Sequence, residues 1–427
     1  MILELSQKIL AKTSEIKKWS EQQRSLLGSI PPPIYTSVDI RNSGHKMAVV
    51  DTNIYPAGFN NLCDTFADRA SEEFKNYLRV WAPAARKILI YPEEHTRNLY
   101  YWKNIAALSK ILTSAGFEVK VGSSSTLFEY PHPITLEADK ASSQTIIVER
   151  IELNQHVVSV GDFIPDVILL NNDLATGVPD YFYKIHQPLL PSPSLGWHQR
   201  KKGHHFALYD NLIDQLAMIL ETDPWLLKTL HYSETGIDLS DEICLKRLQE
   251  TADKLLGEIR QKYFQHGIAR EPYLFLKNSS GTYGMGITHI KSGKEILEMG
   301  RKLRNKLTSA KGGVKVSDYL LQEGIPTADF YKSKPVEPVV YLVGGNAVGT
   351  FFRIHEEKSD IESLNAPGMS FQCLCLHKFD ENKKSYHLCE GTKEDMFIAT
   401  SLLGYVASLA TAFELKELVK IENQEIA

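Results

Sequence analysis

Tyr273-Leu-Phe-Leu-Lys-Asn-Ser-Ser-Gly-Thr-Tyr-Gly-Met-Gly-Ile287 is an apolar run that ends in Lys277, passes through a loop with glycines at 281, 284 and 286, and returns to an apolar, β-type segment. Glycines let backbone N–H groups approach phosphate oxygens with no Cβ in the way. A lysine at a strand end adds a fixed positive charge. The stretch therefore suits gripping a nucleotide triphosphate. It is not a P-loop, because no Gly-Lys-Ser/Thr closes it. Its G-x-x-G-x-G order also differs from the kinase G-x-G-x-x-G. A plain hairpin turn has a similar composition, so the surrounding chain has to decide.

Downstream, a charged helix is expected over Lys294–Leu307 and a strand over Val314–Leu321, running into Gln322-Glu-Gly-Ile325. Val339–Val343 and Ala347–Ile354 flank Gly344-Gly-Asn346 and read as a β-hairpin. Asn365-Ala-Pro-Gly368 is a polar loop, and Asp395–Val419 a long terminal helix. Upstream, Ser240–Phe264 is an amphipathic helix. Before it, Arg200-Lys-Lys202 with His198, His204 and His205 forms the densest basic spot, at the start of a helix ending near Leu220. A basic cluster at a helix N-terminus suits an anion, and a solvated turn is the plainer alternative.

The first half of the chain reads differently. Met1 to Ser20 has apolar residues near helical spacing, and Pro31-Pro-Pro33 ends that element. Arg41, Asp51, Asn53, Asn60 and Asn61 then crowd beside short β-type runs. Clustered charged and amide side chains of this kind can hold a zwitterion such as an amino acid, and also serve ordinary turns and caps. After a helix over residues 68–80 comes a β-α-β unit: Lys87–Tyr91, Asn98–Ala115 and Phe117–Val121. More strands are expected at Thr145–Glu152, Val157–Val160 and Asp166–Leu170. Ligands in such α/β layers bind at the carboxyl ends of the strands.

Bulk properties narrow the classes. The chain has 427 residues, enough for two or three lobes. Its 48 Lys+Arg against 52 Asp+Glu give a net charge of −4, so a nucleic acid partner or an anionic membrane is not expected. No apolar run stands out at the roughly 20 residues a membrane helix needs. The N-terminus lacks the apolar core of a signal peptide. Five scattered cysteines fit a reducing compartment, so a cytoplasmic location is expected. Cys373 and Cys375 share a strand face, as two buried small residues or as a thiol pair for a metal.

The order of parts resembles the ATP-grasp superfamily, in which ATP lies between a small lid and a larger sheet. Five segments narrow the likeness: Ser37-Val-Asp-Ile-Arg41, Val50-Asp-Thr-Asn-Ile-Tyr-Pro-Ala-Gly-Phe-Asn-Asn-Leu62, Gly196-Trp-His-Gln-Arg-Lys-Lys202, Gly281-Thr-Tyr-Gly-Met-Gly286 and Leu364-Asn-Ala-Pro-Gly368. Together they resemble the bacterial glutamate–cysteine ligases that are distinct from the glutamine-synthetase-like type. The likeness spans nearly the whole chain.

The resemblance implies an α/β (α+β), ATP-grasp-like fold. Residues 1–80 would be an N-terminal helix with the polar substrate segment. Residues 81–195 would be a pre-ATP-grasp α/β domain, and 196–427 the two-lobed ATP-binding region with a lid at about 265–323. It implies an ATP-dependent ligase joining the γ-carboxylate of glutamate to the amine of cysteine, with ATP and Mg²⁺ required. Lys277, Ser279, Ser280, Gly281, Thr282, Tyr283, Gly284 and Gly286 would hold phosphates. Gln322, Glu323 and Ile325 would meet adenine and the rest of ATP. Arg353, with Lys277 and Lys202, would serve catalysis. Arg41, Asp51, Asn53, Asn60, Asn61 and Arg200 would surround the substrate. The sequence departs from many ATP-grasp ligases in lacking a Glu-x-Asn metal pair, since Glu422 and Asn423 are adjacent. Glu337 and Asn365, with Glu362, are the substitutes for metal. The rivals are another ATP-grasp peptide-forming ligase, such as a glutathione synthetase, and an inactive nucleotide-binding protein.

Overall fold

The computed structural model describes residues 1–94, 98–136, 144–280, 286–308, 316–374, 376–380, 385–388 and 394–426. Three sheets organise these residues. The central one is antiparallel, in the order Ser370–Cys373, Asn346–Ile354, Lys334–Val343, Tyr35–Asn42, Met47–Asn53, with Phe330–Tyr331 added beside Lys334–Val343. Its expected hairpin turns at Gly344 and Gly345, whose φ values of 58° and 85° suit a tight two-residue turn that side chains resist. The strands of residues 1–80 thus pair into the sheet of residues 334–373 instead of forming a piece of their own.

Side chains alternate across this sheet as a period of two demands. Val38, Ile40, Val49, Val340 and Leu342 pack against Lys202–Ile219 and Glu394–Ile426. Tyr35, Val339, Tyr341, Val343 and Phe351 face the helix Asp64–Trp81 and the second sheet. The same face carries the polar residues of the site.

The second sheet contains the expected β-α-β unit. Leu189–Leu190, Val167–Asn171, Lys87–Pro92, Glu118–Ser123 and Gln144–Arg150 are parallel, and His132–Leu136 closes the edge antiparallel. The crossing helix Leu99–Ser114 starts at Asn98, whose side chain caps the Tyr101 N–H.

The third sheet is antiparallel, in the order His231–Glu234, Tyr319–Glu323, Leu274–Asn278, Ile287–Ile290. It lies on the amphipathic helix Glu242–Gln265 and has its own core, with Leu248, Leu255, Ile259, Leu274, Leu276 and Leu321. The quoted stretch therefore forms a hairpin, Lys277 ending one strand and Ile287 beginning the next.

Three elements differ from expectation. The N-terminal segment is two helices, Ile2–Ala11 and Thr13–Leu27. The helix expected over Lys294–Leu307 is Lys294–Leu297 and Arg301–Thr308, with Gly300 between them, where helical backbone is costly. The terminal helix contains a stretch, Glu394–Ile421, long and apolar enough to cross a membrane. Its apolar window is 72% buried inside the protein, so its hydrophobicity is accounted for by core packing.

Candidate active site

Two adjoining cavities open on the polar face of the central sheet. Strand pairing builds their walls. Asp39 lies opposite Asp51, Ser37 opposite Asn53, and Glu337 opposite Arg353. The larger cavity, about 810 Å³ including space open to solvent, is lined by Asp39, Asp51, Asn53, Lys202 and Arg353 among others. The smaller, about 420 Å³ on the same measure, lies under the hairpin of the third sheet. Its lining includes Arg41, Phe275, Lys277, Ile287 and Glu337. Asp39, Asp51 and Asn365 line both.

Two carboxylates directly opposite on neighbouring strands repel unless cations intervene. Here they do. Arg353 donates to both oxygens of Asp39, at 2.6 and 3.1 Å, and to Glu337 at 2.6 Å. Glu337 takes Arg41 Nε on its other oxygen, at 2.7 Å. Arg41 spends three more donors on the carbonyls of Ile325, Asp360 and Glu362. The result is a buried ladder of alternating charge. Burial raises the Asp39 carboxyl against the pull of Arg353. Burial also acts on Glu337, but the two arginines outweigh it and hold that carboxyl below its usual range.

A second group surrounds Asp51. Lys202 Nζ donates to it at 2.5 Å, and Lys277 Nζ donates to the Val50 carbonyl at 2.9 Å. Burial would push Asp51 up, yet Lys202 and Lys277 bring it down to about 2. Burial dominates for Lys277 and lowers it to about 8, despite the nearby Asp51.

The basic turn and the glycine-rich hairpin, distant in sequence, meet here. The Lys202 N–H donates to the Ser279 carbonyl at 3.0 Å as the helix Lys202–Ile219 begins. Lys201 pairs with Asp318 at 2.9 Å and reaches Ser280 Oγ at 3.3 Å. Gly203 lets the edge strand His231–Glu234 lie close to the same helix start, since a Cβ there would fall 1.8 Å from Ser233 Oγ. Behind them, Glu414 of the terminal helix receives Arg200 through two bonds, at 2.8 and 3.0 Å, and also His205 Nδ1. Arg200 and His205 continue to Thr52, through its carbonyl at 2.9 Å and its hydroxyl at 2.9 Å. His204 is exposed and faces Glu417.

The expected site residues divide accordingly. Lys202, Arg353, Asp51, Asn53, Asn61 and Asn365 face the larger cavity, and Arg41, Lys277 and Glu337 the smaller. Ser279, Ser280 and Gly286 frame the hairpin at the base of its loop. Gly281, Thr282, Tyr283 and Gly284 lie outside the described residues, as do Cys375 and Cys389. Three expectations need correction. Arg200 is spent on Glu414 and Thr52, behind the cavity wall. Asn60 lines a different groove and touches Asn61 at 3.3 Å. The Glu323 carboxylate is 1% exposed and takes Lys46, Trp225 Nε1 and the Leu230 N–H. Its strand is paired along both edges, and neither Gln322, Glu323 nor Ile325 lines either cavity. Glu337 has one guanidinium bond on each oxygen, so a metal there would share the carboxylate with Arg41 and Arg353.

Asp39, Ser37, Tyr55, Trp197 and Asp173 also line the larger cavity and are not among the expected site residues. The alternation Ser37, Asp39, Arg41 on one strand face was the available signal for the first two.

The model of the glutamate–cysteine ligase family matches residues 6–415. The chain belongs to that family. A crystal structure at 1.90 Å from Methylobacillus flagellatus KT, of a protein provisionally named gamma-glutamylcysteine synthetase, is similar throughout. It shares 34% identity over 97% of this chain and 96% of that one, with a TM-score of 0.83. D-alanyl-alanine synthetase A from Vibrio cholerae O1 biovar eltor str. N16961 shares 10% identity over 59% of this chain and 67% of that one. Its TM-score of 0.28 carries no argument about fold. No curated protein matches.

A glutamate–cysteine ligase is an enzyme of glutathione synthesis, and its substrates are small molecules. The ligase's two cavities carry charges of both signs, Asp39, Asp51 and Glu337 against Arg41, Lys202, Lys277 and Arg353. Among the described residues, no group of three or more His, Cys, Asp or Glu side chains is placed to hold a metal. At the junction Asp51 pairs with Lys202 through one oxygen, which leaves the other, and Asn365 lines the same wall. That sparse set fits an Mg²⁺ carried mostly by phosphate oxygens, which needs only one or two protein ligands.

Proposed function

We propose that the ligase joins the γ-carboxylate of glutamate to the amine of cysteine through an acyl phosphate made from ATP, with an ATP-grasp type of layout. The observation that carries this reading is the pair of cavities sharing Asp39, Asp51 and Asn365. One suits two amino acids. The other, roofed by the Lys277 hairpin, suits the terminal phosphates. The acid to be activated and the phosphate that activates it meet at the shared wall.

A carboxylate is a poor electrophile near neutral pH. Its oxygen attacks the γ-phosphorus, the bond to the β-phosphate oxygen breaks, and ADP leaves. The cysteine amine then attacks the acyl carbon, and phosphate departs from the tetrahedral intermediate. Such chemistry needs positioning and charge stabilisation, with no enzyme nucleophile. Lys277 binds the transferring phosphate, and Arg353 stabilises the negative charge that builds beside it. Lys202 and Asn61 orient the amino acid. Asp39, raised by burial, is a better acceptor for the amine's proton than Asp51, held at about 2. Mg²⁺, held on the protein side by Asp51 and Asn365, would supply neutralising charge to the phosphates.

The test is phosphate release from Mg–ATP with single and paired amino acids. Release that requires both glutamate and cysteine is expected. Release with γ-glutamylcysteine and glycine instead would assign the chain to the next ligation. No release with any pair would leave an inactive nucleotide-binding protein.

A further inference from the structure

The lining of the larger cavity is lopsided. Asp51 and Asn53, on the edge strand Met47–Asn53, stand with Lys202 at one end of the sheet. Toward the other, Val339 and Phe351 face each other in register, Phe371 sits opposite Arg353 on the next strand, and Met369 ends the preceding loop. Phe351 and Phe371 meet edge to face, with centroids 5.3 Å apart. Glutamate gains less from such a wall, because its two methylenes lie between charged ends that must stay among polar groups. A thiol gains more, because it is polarisable, weakly hydrated and favoured beside aromatic rings and thioethers.

We propose that Val339, Phe351, Met369 and Phe371 form the seat for the acceptor's side chain and select cysteine over serine. The inference rests on the function proposed above. Val339 and Phe351 are each 2% exposed and form the floor, while Met369, 36% exposed, stands at the mouth. A hydroxyl seated there exchanges water for carbon and sulfur and loses its hydrogen bonds. A methyl group fits as well as a thiol. Apolar pockets discriminate within limits, so selectivity against serine of up to about a hundredfold is expected.

The experiment measures kcat/KM for cysteine, serine and 2-aminobutyrate with saturating glutamate and Mg–ATP. It uses the wild type, Phe371→Leu, Phe371→Gln and Met369→Thr. Both mutated positions are at least partly exposed, so folding should survive. The wild type should use 2-aminobutyrate in preference to serine. Phe371→Leu should keep the cysteine-to-serine ratio. Phe371→Gln and Met369→Thr should each lower it about tenfold, leaving KM for glutamate within twofold. An unchanged ratio in an active enzyme, or a rise in glutamate KM alone, overturns the proposal without touching the parent reading. A wild type with no turnover on glutamate and cysteine removes both.

Discussion

Lys277 carries its charge where little water reaches it, so its protonation falls within the working range of pH. At about 8 it lies well below the ordinary 10.5. A phosphate grip needs the charged form, so kcat/KM for ATP should fall as pH rises through about 8. The stability effect runs the other way. The unfolded chain holds this proton more tightly, so the cost of burying the ammonium is complete below about 8 and fades toward 10.5. Lys277→Ala should lower turnover by about 10²–10³-fold and weaken ATP binding, with folding intact by circular dichroism. Full activity in that variant would sever the hairpin from catalysis. Residue types and the family resemblance pointed to Asp51, Lys202, Lys277 and Arg353, which line the two cavities. Their partners were not legible in the sequence. Arg353 meets Asp39 across 314 positions, Lys46 meets Glu323 across 277, and Arg200 meets Glu414 across 214. Arg200 looks available for ligand until the fold reveals the Glu414 carboxylate that occupies it.

Among the elements, the terminal helix does more than fill the core. Glu414 ties it to Arg200 and His205, and through them to Thr52, the neighbour of Asp51. The Glu414 carboxylate is held at about 2: burial opposes this, and Arg200 and His205 prevail. Its stabilising share is present above the ordinary carboxylate pKa and is lost as pH falls through about 2. Removing one member of so buried a network leaves charges uncompensated. Glu414→Ala should therefore cost about 3–5 kcal/mol in denaturant unfolding. A loss under about 1 kcal/mol would mean the clamp is ornamental. The terminal helix, expected over Asp395–Val419, has little amphipathic periodicity to mark it. Helical spacing made the Glu242–Gln265 helix readable from the sequence, and the Gly344-Gly-Asn346 turn did the same for the hairpin of residues 339–354. The breaks at Lys12 and Gly300 were not, because the apolar spacing runs on through them.

For the whole molecule, the third sheet has a core of its own and meets the central sheet through Leu320, which packs into the central sheet's core, and through polar links. These are Lys46–Glu323, Lys277 to Val50, Arg41 to Ile325 and Arg270–Asp360. Such an arrangement suits a cover that closes over nucleotide. Mg–ATP should therefore raise the melting temperature, by about 2.7 kcal/mol of added stability at a hundredfold excess over Kd. A protein that does not bind ATP would show no shift. Sequence order hinted at two lobes but hid how the first strands enter the last sheet. Pairing across some 300 positions leaves no local trace.

The most direct measurement is a crystal structure with Mg–ADP and glutamate bound. It should show the β-phosphate beside Lys277 and the glutamate γ-carboxylate at the wall shared by Asp39, Asp51 and Asn365. Nucleotide bound elsewhere, with the hairpin at residue 277 turned away from that wall, would contradict the account.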